Sequence, residues 1–515
     1  MTAPTEGPTP APTASMTTGQ IRGSSLLLAG RFISIGVNFA VQVLTVNYLS
    51  QTAYGAFAYA LSLVTLGETI VTFGLDRGVG RFLAVYDEKG DYGRLLGTLL
   101  MVAGTILSLG LALILLVIGL QGAIGGTIID DPLAVSLLVI LIVLAPIQAL
   151  DTMLGSVLAV FASARAIFLR KYILGPGLRL AVVALLVLGG LGVEFLAAGY
   201  VATGAIGVAL YAGILARVLR QRGILARFRE GSVVVPAREI LVFTLPLLST
   251  DLVFIAMNTT DAIFLGHFWG TGEVAALRVI QPLAGMNLIV FSSFTLLYMP
   301  VASRMFARGD RAAIADLYWR TAIWVAVFSF PVFAVTTSLA GPVTEALYGV
   351  RYADSATYLA LLAFGYYVNA SLGFNGLTLR VFGFIRYTVA INLIAAAVNV
   401  ALNLTLIPQH GALGAAVAAT ATMIIHNILK QAGLRRGTGI DVFDWRYLRV
   451  YVIVALAVAT LGLVQVVVRP HVLVGLCLAA VASLVVLLTN RHLLRVGETF
   501  PEVLRLPLMR RILGA

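Results

Sequence analysis

Seven ionisable side chains stand inside long apolar runs of this sequence: Arg31, Arg179 and Arg278, and Glu68, Asp151, Asp251 and Asp261. A charge in apolar surroundings is costly unless it is paired, hydrated or put to use, so each is a functional candidate by default. Arginine presents a planar fork of donors that meets phosphate oxygens two at a time, which makes Arg31, Arg278 and Arg179 candidates for binding an anionic substrate. The alternative for each is structural, a snorkelling stem or a salt bridge. Arg31 lies about seven residues into its run, roughly 10 Å at ~1.5 Å per residue. Arg278 enters its run from the opposite side. Arg179 follows Gly175-Pro176-Gly177, where a broken helix would bring it to the surface instead.

The four acids suit a different chemistry. A desolvated carboxylate binds a proton or Na⁺, whereas a neighbouring arginine turns it into an ion pair. Glu68 and Asp251 fall near the middle of their runs, and an ion pair with an arginine such as Arg31 competes with ion coupling at both. Asp151 and Asp261 are less central, and Asp261 lies near the outer end of its run. Asn258, Asn369, Asn375, Asn399 and Asn403 are placed either to hydrogen-bond a polyhydroxylated ligand or to join one helix to the next. Neither a catalytic residue nor a metal ligand set is expected. Cys477, the one cysteine, sits in an apolar run as a packing residue, so there is no disulfide framework.

The elements that carry these residues must be membrane helices. The 515 residues are 60% hydrophobic and 11% charged, a balance that a soluble surface does not allow. A net charge of +12 raises the question of nucleic acid, but the basic residues form short clusters between apolar runs, with no basic domain or RNA-binding motif. Residues 1–23 read as a disordered tail rich in Thr, Pro, Ala and Ser, and the run that begins near Ser24 is too long for a signal peptide.

A bilayer core of ~30 Å takes about 20 apolar residues per helix. Dividing the chain at charges, polar turns and Pro/Gly clusters gives fourteen candidate spans: 24–47, 55–76, 95–119, 133–162, 172–191, 195–216, 239–264, 273–299, 321–340, 356–379, 387–407, 411–429, 450–468 and 471–490. With the N-terminus inside, only Arg351 and Arg469 of the 35 basic residues fall in outside loops, and only Arg31, Arg179 and Arg278 fall within spans. Cytoplasmic loops retain Lys and Arg during insertion, so both termini are expected in the cytoplasm. The short outside loops leave no room for a nucleotide or sugar-donor domain, and there is no Walker A motif. An enzyme is therefore not expected.

A weak internal repeat runs through the spans. Gly155-Ser-Val-Leu-Ala-Val160-Phe161-Ala-Ser-Ala-Arg165 matches Gly376-Leu-Thr-Leu-Arg-Val381-Phe382-Gly-Phe-Ile-Arg386 at an offset of 221, and Arg81-Phe-Leu-Ala-Val-Tyr-Asp87 echoes Arg304-Met-Phe-Ala-Arg-Gly-Asp310 at 223. Similar offsets favour six plus six helices in the same orientation, with the last two spans outside the repeat. The expected organisation is a tail (1–23), a six-helix lobe (24–216), a cytoplasmic linker (217–238), a second six-helix lobe (239–435), and two further helices with a tail (436–515). The arginine-rich linker either lies on the anionic inner leaflet or is simply solvated.

Several stretches resemble the polysaccharide-biosynthesis flippases of the Wzx type in the MOP superfamily. Tyr48-Leu-Ser-Gln-Thr-Ala-Tyr54-Gly55-Ala-Phe-Ala, with Phe73-Gly74-Leu75 and Arg77, is similar to their first hairpin. Phe243-Thr-Leu-Pro246 and Asp261-Ala-Ile-Phe-Leu-Gly266 resemble their seventh helix, and Pro300-Val-Ala-Ser303 the end of the eighth. Asn399-Val-Ala-Leu-Asn403-Leu-Thr-Leu-Ile-Pro408-Gln-His-Gly411-Ala-Leu-Gly414 resembles the eleventh and twelfth. The resemblance covers roughly residues 22–435. It implies an all-α integral membrane protein with two lobes around a central cavity that opens alternately to either side. The cargo would be a lipid-linked oligosaccharide on a polyprenyl phosphate or diphosphate, moved from the cytoplasmic to the outer leaflet of the plasma (inner) membrane. No cofactor is expected; with no nucleotide site in the sequence, the energy would come from an ion gradient such as Na⁺ or H⁺, from the substrate gradient or from a partner, and the partners would be membrane lipids and polysaccharide assembly proteins.

Competing expectations are a lipid II flippase, a cation-coupled multidrug exporter similar to MATE proteins, and a membrane glycosyltransferase or polymerase. Embedded arginines disfavour cationic drugs, and the short loops disfavour an enzyme.

Overall fold

The computed structural model describes residues 14–127, 131–161, 167–224 and 233–494; side chains are described from Gly30 onward, apart from several positions within helices such as 245–254 and 256–258. Every regular element among these residues is helical. Continuous apolar stretches account for this, because a chain in lipid must satisfy its backbone hydrogen bonds internally. Ten helices among the described residues are long and apolar enough to cross a membrane.

In chain order the first are α1 (Ala14–Tyr48), α2 (Gln51–Thr72), α3 (Leu75–Glu88), α4 (Tyr92–Thr127), α5 (Pro132–Leu141) and α6 (Leu144–Val160). A π-helical turn (Phe168–Leu174) leads into α7 (Gly175–Gly189), followed by α8 (Val193–Gln221) and α9 (Ala237–Phe268). Then come α10 (Thr271–Arg278), α11 (Gln281–Gly285), α12 (Ile289–Ala307), α13 (Arg311–Ser338), α14 (Ala340–Tyr348), α15 (Ser355–Ser371) and α16 (Asn375–Val381). The last are α17 (Ile385–Thr438), α18 (Leu448–Val467) and α19 (Val472–Leu494).

Two features differ from the sequence expectation. Helix α1 is already present at Ala14, the first described residue, about ten residues before the expected span. The basic stretch after α2 is a helix, α3, because its apolar residues recur at helical spacing: Leu75, Val79, Phe82, Leu83 and Tyr86 all enter the core. The expected spans 387–407 and 411–429 fall on α17, which consists of two helices that meet at a kink at Gly411 with φ 55° and ψ −134°. Only glycine adopts that conformation without strain, and the ring of Pro408 has already removed one backbone donor nearby.

Two compact units are present, and they do not follow chain order. Unit 1 comprises Met1–Tyr48, Val64–Gly122 and Ser136–Ser249; unit 2 comprises Leu49–Leu63, Ala123–Val135 and Thr250–Ala515. In unit 1, α6 packs on α8 and α3, and α1 packs on α7 and the π-turn. Its core joins Val71, Leu83, Leu95, Ile106, Val157 and Tyr211. In unit 2, α15 packs between α13 and α17, while α18 and α19 lie against α13. Phe374 stacks on Phe291 and Tyr298 at 4.6 and 4.7 Å between ring centroids, filling the space beside Ala302, Val325 and Ala370. Asp310 caps α13 by accepting from Ala313 N at 2.9 Å.

Part of the expected linker (225–232) and the C-terminal residues 495–515 lie outside the described residues, as does Arg165 of the repeat.

Candidate functional site

The charged residues of unit 1 gather around the π-turn. Pro176 has no N–H to give to the carbonyl four residues back, and the turn before it widens so that Gly175 N donates to Arg170 O, five residues back. This places Arg170 inside the unit. Its Nη2 donates to Asp151 Oδ1 at 2.8 Å, with the Arg170 side chain 11% exposed and Asp151 34%. The guanidinium also lies over the Tyr211 ring, 5.7 Å from its centroid. A Cβ at residue 207 would stand 1.8 Å from Arg170 Nη2, so the guanidinium fits only because Gly207 of α8 leaves the space. Arg170 Nε is buried without a hydrogen-bond partner among the described residues.

Arg179 also acts electrostatically on Asp151 and stands over the Tyr200 ring at 5.4 Å. Glu68, half-buried on α2, lies within electrostatic reach of Asp76 and Asp151. Unit 1 thus brings Glu68, Asp151 and Arg179 together with Arg170. Arg31 is exposed on α1, next to Gly30, whose backbone touches the Phe168 ring of the π-turn.

In unit 2 Arg278 and Asp261 meet. Arg278 Nη2 donates to Asp261 Oδ1 at 3.3 Å, Arg278 Nη1 donates to Gln281 Oε1 at 2.7 Å, and Gln281 Nε2 donates to Asp261 Oδ2 at 3.0 Å. The three side chains close a ring, with Asp261 only 6% exposed. Break points between the short helices α10 and α11 make this possible, because they turn the end of one helix and the start of the next toward the same carboxylate on α9. Tyr366 of α15 lies within electrostatic reach of Asp261 and Arg278. Asp251 belongs to α9, but its side chain is outside the described residues, as is that of Asn258.

The remaining asparagines join helices. Asn375 donates to Asn427 at 3.1 Å and Asn427 to Asn369 at 2.9 Å, while Asn403 donates to Asn399 at 3.1 Å beside Thr422. These bonds tie α15 and α16 to α17 and one arm of α17 to the other.

Arg170 and Gln281 were not singled out by the sequence. Arg170 reads as part of a cytoplasmic basic cluster with Arg165 and Lys171; the signal that points inward is Gly175-Pro176, which forces a wide turn and rotates the preceding residues. Gln281 is uncharged and carried no signal.

Apolar helices that enclose arginine–aspartate pairs in each of two units define a polytopic membrane protein with a transporter-type fold. Solved structures share it. A lipid II flippase, MurJ, in an inward closed conformation matches with a TM-score of 0.69 at 14% identity, over 91% of this chain and 100% of that one. A multidrug resistance MATE family transporter of the MOP superfamily, in an inward-facing conformation, matches with a TM-score of 0.61 at 15% identity, over 79% and 95%. An uncharacterized membrane protein of Methanocaldococcus jannaschii is 24% identical over 161 residues, 30% of this chain, and the matched stretch spans 31% of that relative's length. The family model described as polysaccharide biosynthesis protein matches residues 21–306. The chain belongs to this family, and its fold is that of MOP-superfamily transporters.

Proposed function

We propose that this protein is a flippase that carries an oligosaccharide on a polyprenyl phosphate or diphosphate from the cytoplasmic to the outer leaflet of the plasma membrane by alternating access, for assembly of a cell-surface polysaccharide. The observation that carries this reading is the presence, in a member of the polysaccharide biosynthesis family, of arginines within the apolar helices of both units. A (di)phosphate headgroup must leave water to cross, and arginine replaces that hydration with paired, charge-assisted donors.

The proposed arrangement has fourteen spans, six in each of two repeats plus α18 and α19, with both termini in the cytoplasm. Arg31, exposed on α1, is assigned to the headgroup, with Arg278 and Arg179 as further substrate contacts. Glu68, Asp151, Asp251 and Asp261 are assigned to Na⁺ or H⁺ coupling. Two of these acids already hold arginines, so cation binding at Asp151 or Asp261 would exchange one positive partner for another and leave Arg170 or Arg278 available to the substrate. Polysaccharide assembly proteins are the expected partners.

A second reading, a lipid II flippase, draws on the TM-score of 0.69 to a protein of that name. Both cargoes are polyprenyl diphosphates, and the glycan separates them. A MATE-like exporter of cations fits less well, because embedded guanidinium groups repel cationic drugs.

Deleting the gene and analysing the lipid-linked glycans tests the proposal. A polyprenyl-linked oligosaccharide should accumulate on the cytoplasmic leaflet. Accumulation of lipid II would favour the second reading, and drug sensitivity without any accumulating glycolipid would refute both.

A further inference from the structure

Helices α12 and α13 of unit 2 are joined by a short turn, and a cavity of ≈ 350 Å³ opens between them. That is within the usual range for a small-molecule site, about 300–1,000 Å³. It is polar at one end only. Met305, Ala313 and Asp316 line the end next to the turn, which carries Arg308 and Arg311. Phe294 and Trp324 line the other end, eleven residues further along each helix from Met305 and Ala313 and so about 16 Å deeper. In the expected topology this turn is cytoplasmic, and the cavity then runs from the headgroup level of the inner leaflet into its hydrocarbon.

The apolar walls are held from behind. Tyr298 stacks on Phe374 at 4.7 Å and its hydroxyl pairs with that of Thr378 at 2.5 Å, while the Trp324 ring stacks on Phe328 at 5.2 Å. Together with Phe294, Val301 and Leu317 they offer aromatic and aliphatic surface to a flexible chain.

A second cavity, of ≈ 180 Å³, shares Asp316 and Arg320 with the first. Its other walls come from the two helices outside the repeat: Arg446 and Tyr447 just before α18, and His492 and Leu493 at the end of α19. Arg320 Nη1 lies 3.6 Å from Asp316 Oδ2, and Asp316 also acts electrostatically on Arg446. These charges remain accessible, with the Asp316 side chain 50% exposed and that of Arg446 70%. Trp445, itself largely exposed, and Tyr447 flank Arg446, as aromatic residues do where a membrane meets water.

An apolar depth joined to a mouth of both signs suits an amphiphile whose headgroup carries both signs. A purely anionic headgroup, or a diphosphate, is repelled by Asp316. A choline headgroup has no N–H to give to the carboxylate. A primary ammonium linked to a phosphate satisfies the acid and the guanidinium groups together.

We propose that α12, α13 and the cytoplasmic ends of α18 and α19 form a binding site for an aminophospholipid of the inner leaflet, with an acyl chain between Phe294 and Trp324, its phosphate on Arg320 and Arg446, and its ammonium on Asp316. The site contains none of the residues assigned to cargo or ion coupling, so it stands apart from the flippase reading. The bound lipid ties α18 and α19 to the α12–α13 pair.

Brominated acyl chains quench a tryptophan that they touch, so the full-length protein in phosphatidylcholine vesicles, with a minor fraction of brominated phosphatidylethanolamine, tests the site through Trp324. The chain has four tryptophans, and the difference between the parent and Trp324→Phe isolates that ring. Its quenching should show about fivefold preference for brominated phosphatidylethanolamine over brominated phosphatidylcholine, and Asp316→Asn should abolish the preference. Arg320→Gln should weaken phosphatidylethanolamine binding by a similar factor. Equal quenching by both lipids in the parent marks an ordinary lipid-facing surface and overturns the proposal. Stronger quenching by brominated phosphatidylglycerol, or loss of quenching on adding a polyprenyl diphosphate, overturns it too, by assigning the cavity to an anionic lipid or to the cargo. If Trp324→Phe does not fold, native mass spectrometry decides: phosphatidylethanolamine retained by the parent and lost from Asp316→Asn supports the site, and equal retention overturns it.

Discussion

Arg170 donates to Asp151 at 2.8 Å in a space that exists because residue 207 has no side chain. The pair joins the π-turn to α6 and is overlooked by Tyr211 of α8, so three elements of unit 1 depend on one buried charge being matched. Removing one partner strands the other. Asp151→Ala should cost about 3 kcal/mol of stability, whereas Asp151→Ala with Arg170→Met should recover much of it. Thermal unfolding of the detergent-solubilised protein, read by tryptophan fluorescence, completes the cycle. Strict additivity of the two substitutions would show that the pair is not coupled.

Gly207→Val should act through the same site. The added side chain overlaps the guanidinium, so it should destabilise by an amount similar to Asp151→Ala and add little to it in combination.

Arg278 is held by Asp261 and Gln281, and a purely structural role predicts that Asp261→Asn with Arg278→Gln restores function. A substrate role predicts otherwise. Export in Arg278→Gln should fall about tenfold at normal expression, and the double variant should stay impaired, because the lost donors belong to the headgroup site. Quantifying surface glycan per unit of membrane-inserted protein separates the two.

Gly411 bends α17 at φ 55° beside Trp269 and Glu273, while Glu273 accepts from Ala412 N at 3.0 Å. Gly411→Ala should cost about 1–3 kcal/mol, since a side chain in that backbone conformation is strained. An unchanged unfolding temperature would mean that the bend relaxes freely.

Outside the membrane, Arg446 bonds Asp444 through Nε at 2.9 Å and Nη2 at 2.5 Å, and holds its carboxyl below the usual range. A depressed folded-state value stabilises the protein above the ordinary Asp pKa of about 3.9, and that contribution is lost as pH falls through the depressed value. Arg446 is largely exposed, so the pair is worth under about 1 kcal/mol. Asp444→Asn should therefore be slightly less stable than the parent at pH 7 and indistinguishable from it once pH falls well below 3.9. A difference that grows on acidification would contradict the assignment.

The helical membrane architecture was legible in the sequence because it rests on run length and charge placement, which are local. So was the break at Gly411, since Pro408 and Gly411 both punctuate a helix. The cluster in unit 1 was legible only in part. Glu68, Asp151 and Arg179 stand out as charges in apolar runs, but their convergence depends on how α2, α6 and α7 pack, which no single run encodes. Arg170 was hidden because a charge next to Lys171 at the edge of a span reads as a loop residue. The division of α2 between the units was invisible, since Gly55 and Gly266 act through contacts, with Thr271 and Tyr59, formed more than two hundred residues apart.

The central claim is best tested with purified protein in sealed vesicles carrying a fluorescent polyprenyl-diphosphate oligosaccharide, with Na⁺ and proton gradients imposed in turn. Movement of the label between leaflets, followed with a membrane-impermeant quencher, should depend on the protein and fall about tenfold in Arg31→Gln. No protein-dependent movement under either gradient, together with efflux of a cationic drug by the same vesicles, would contradict the flippase account.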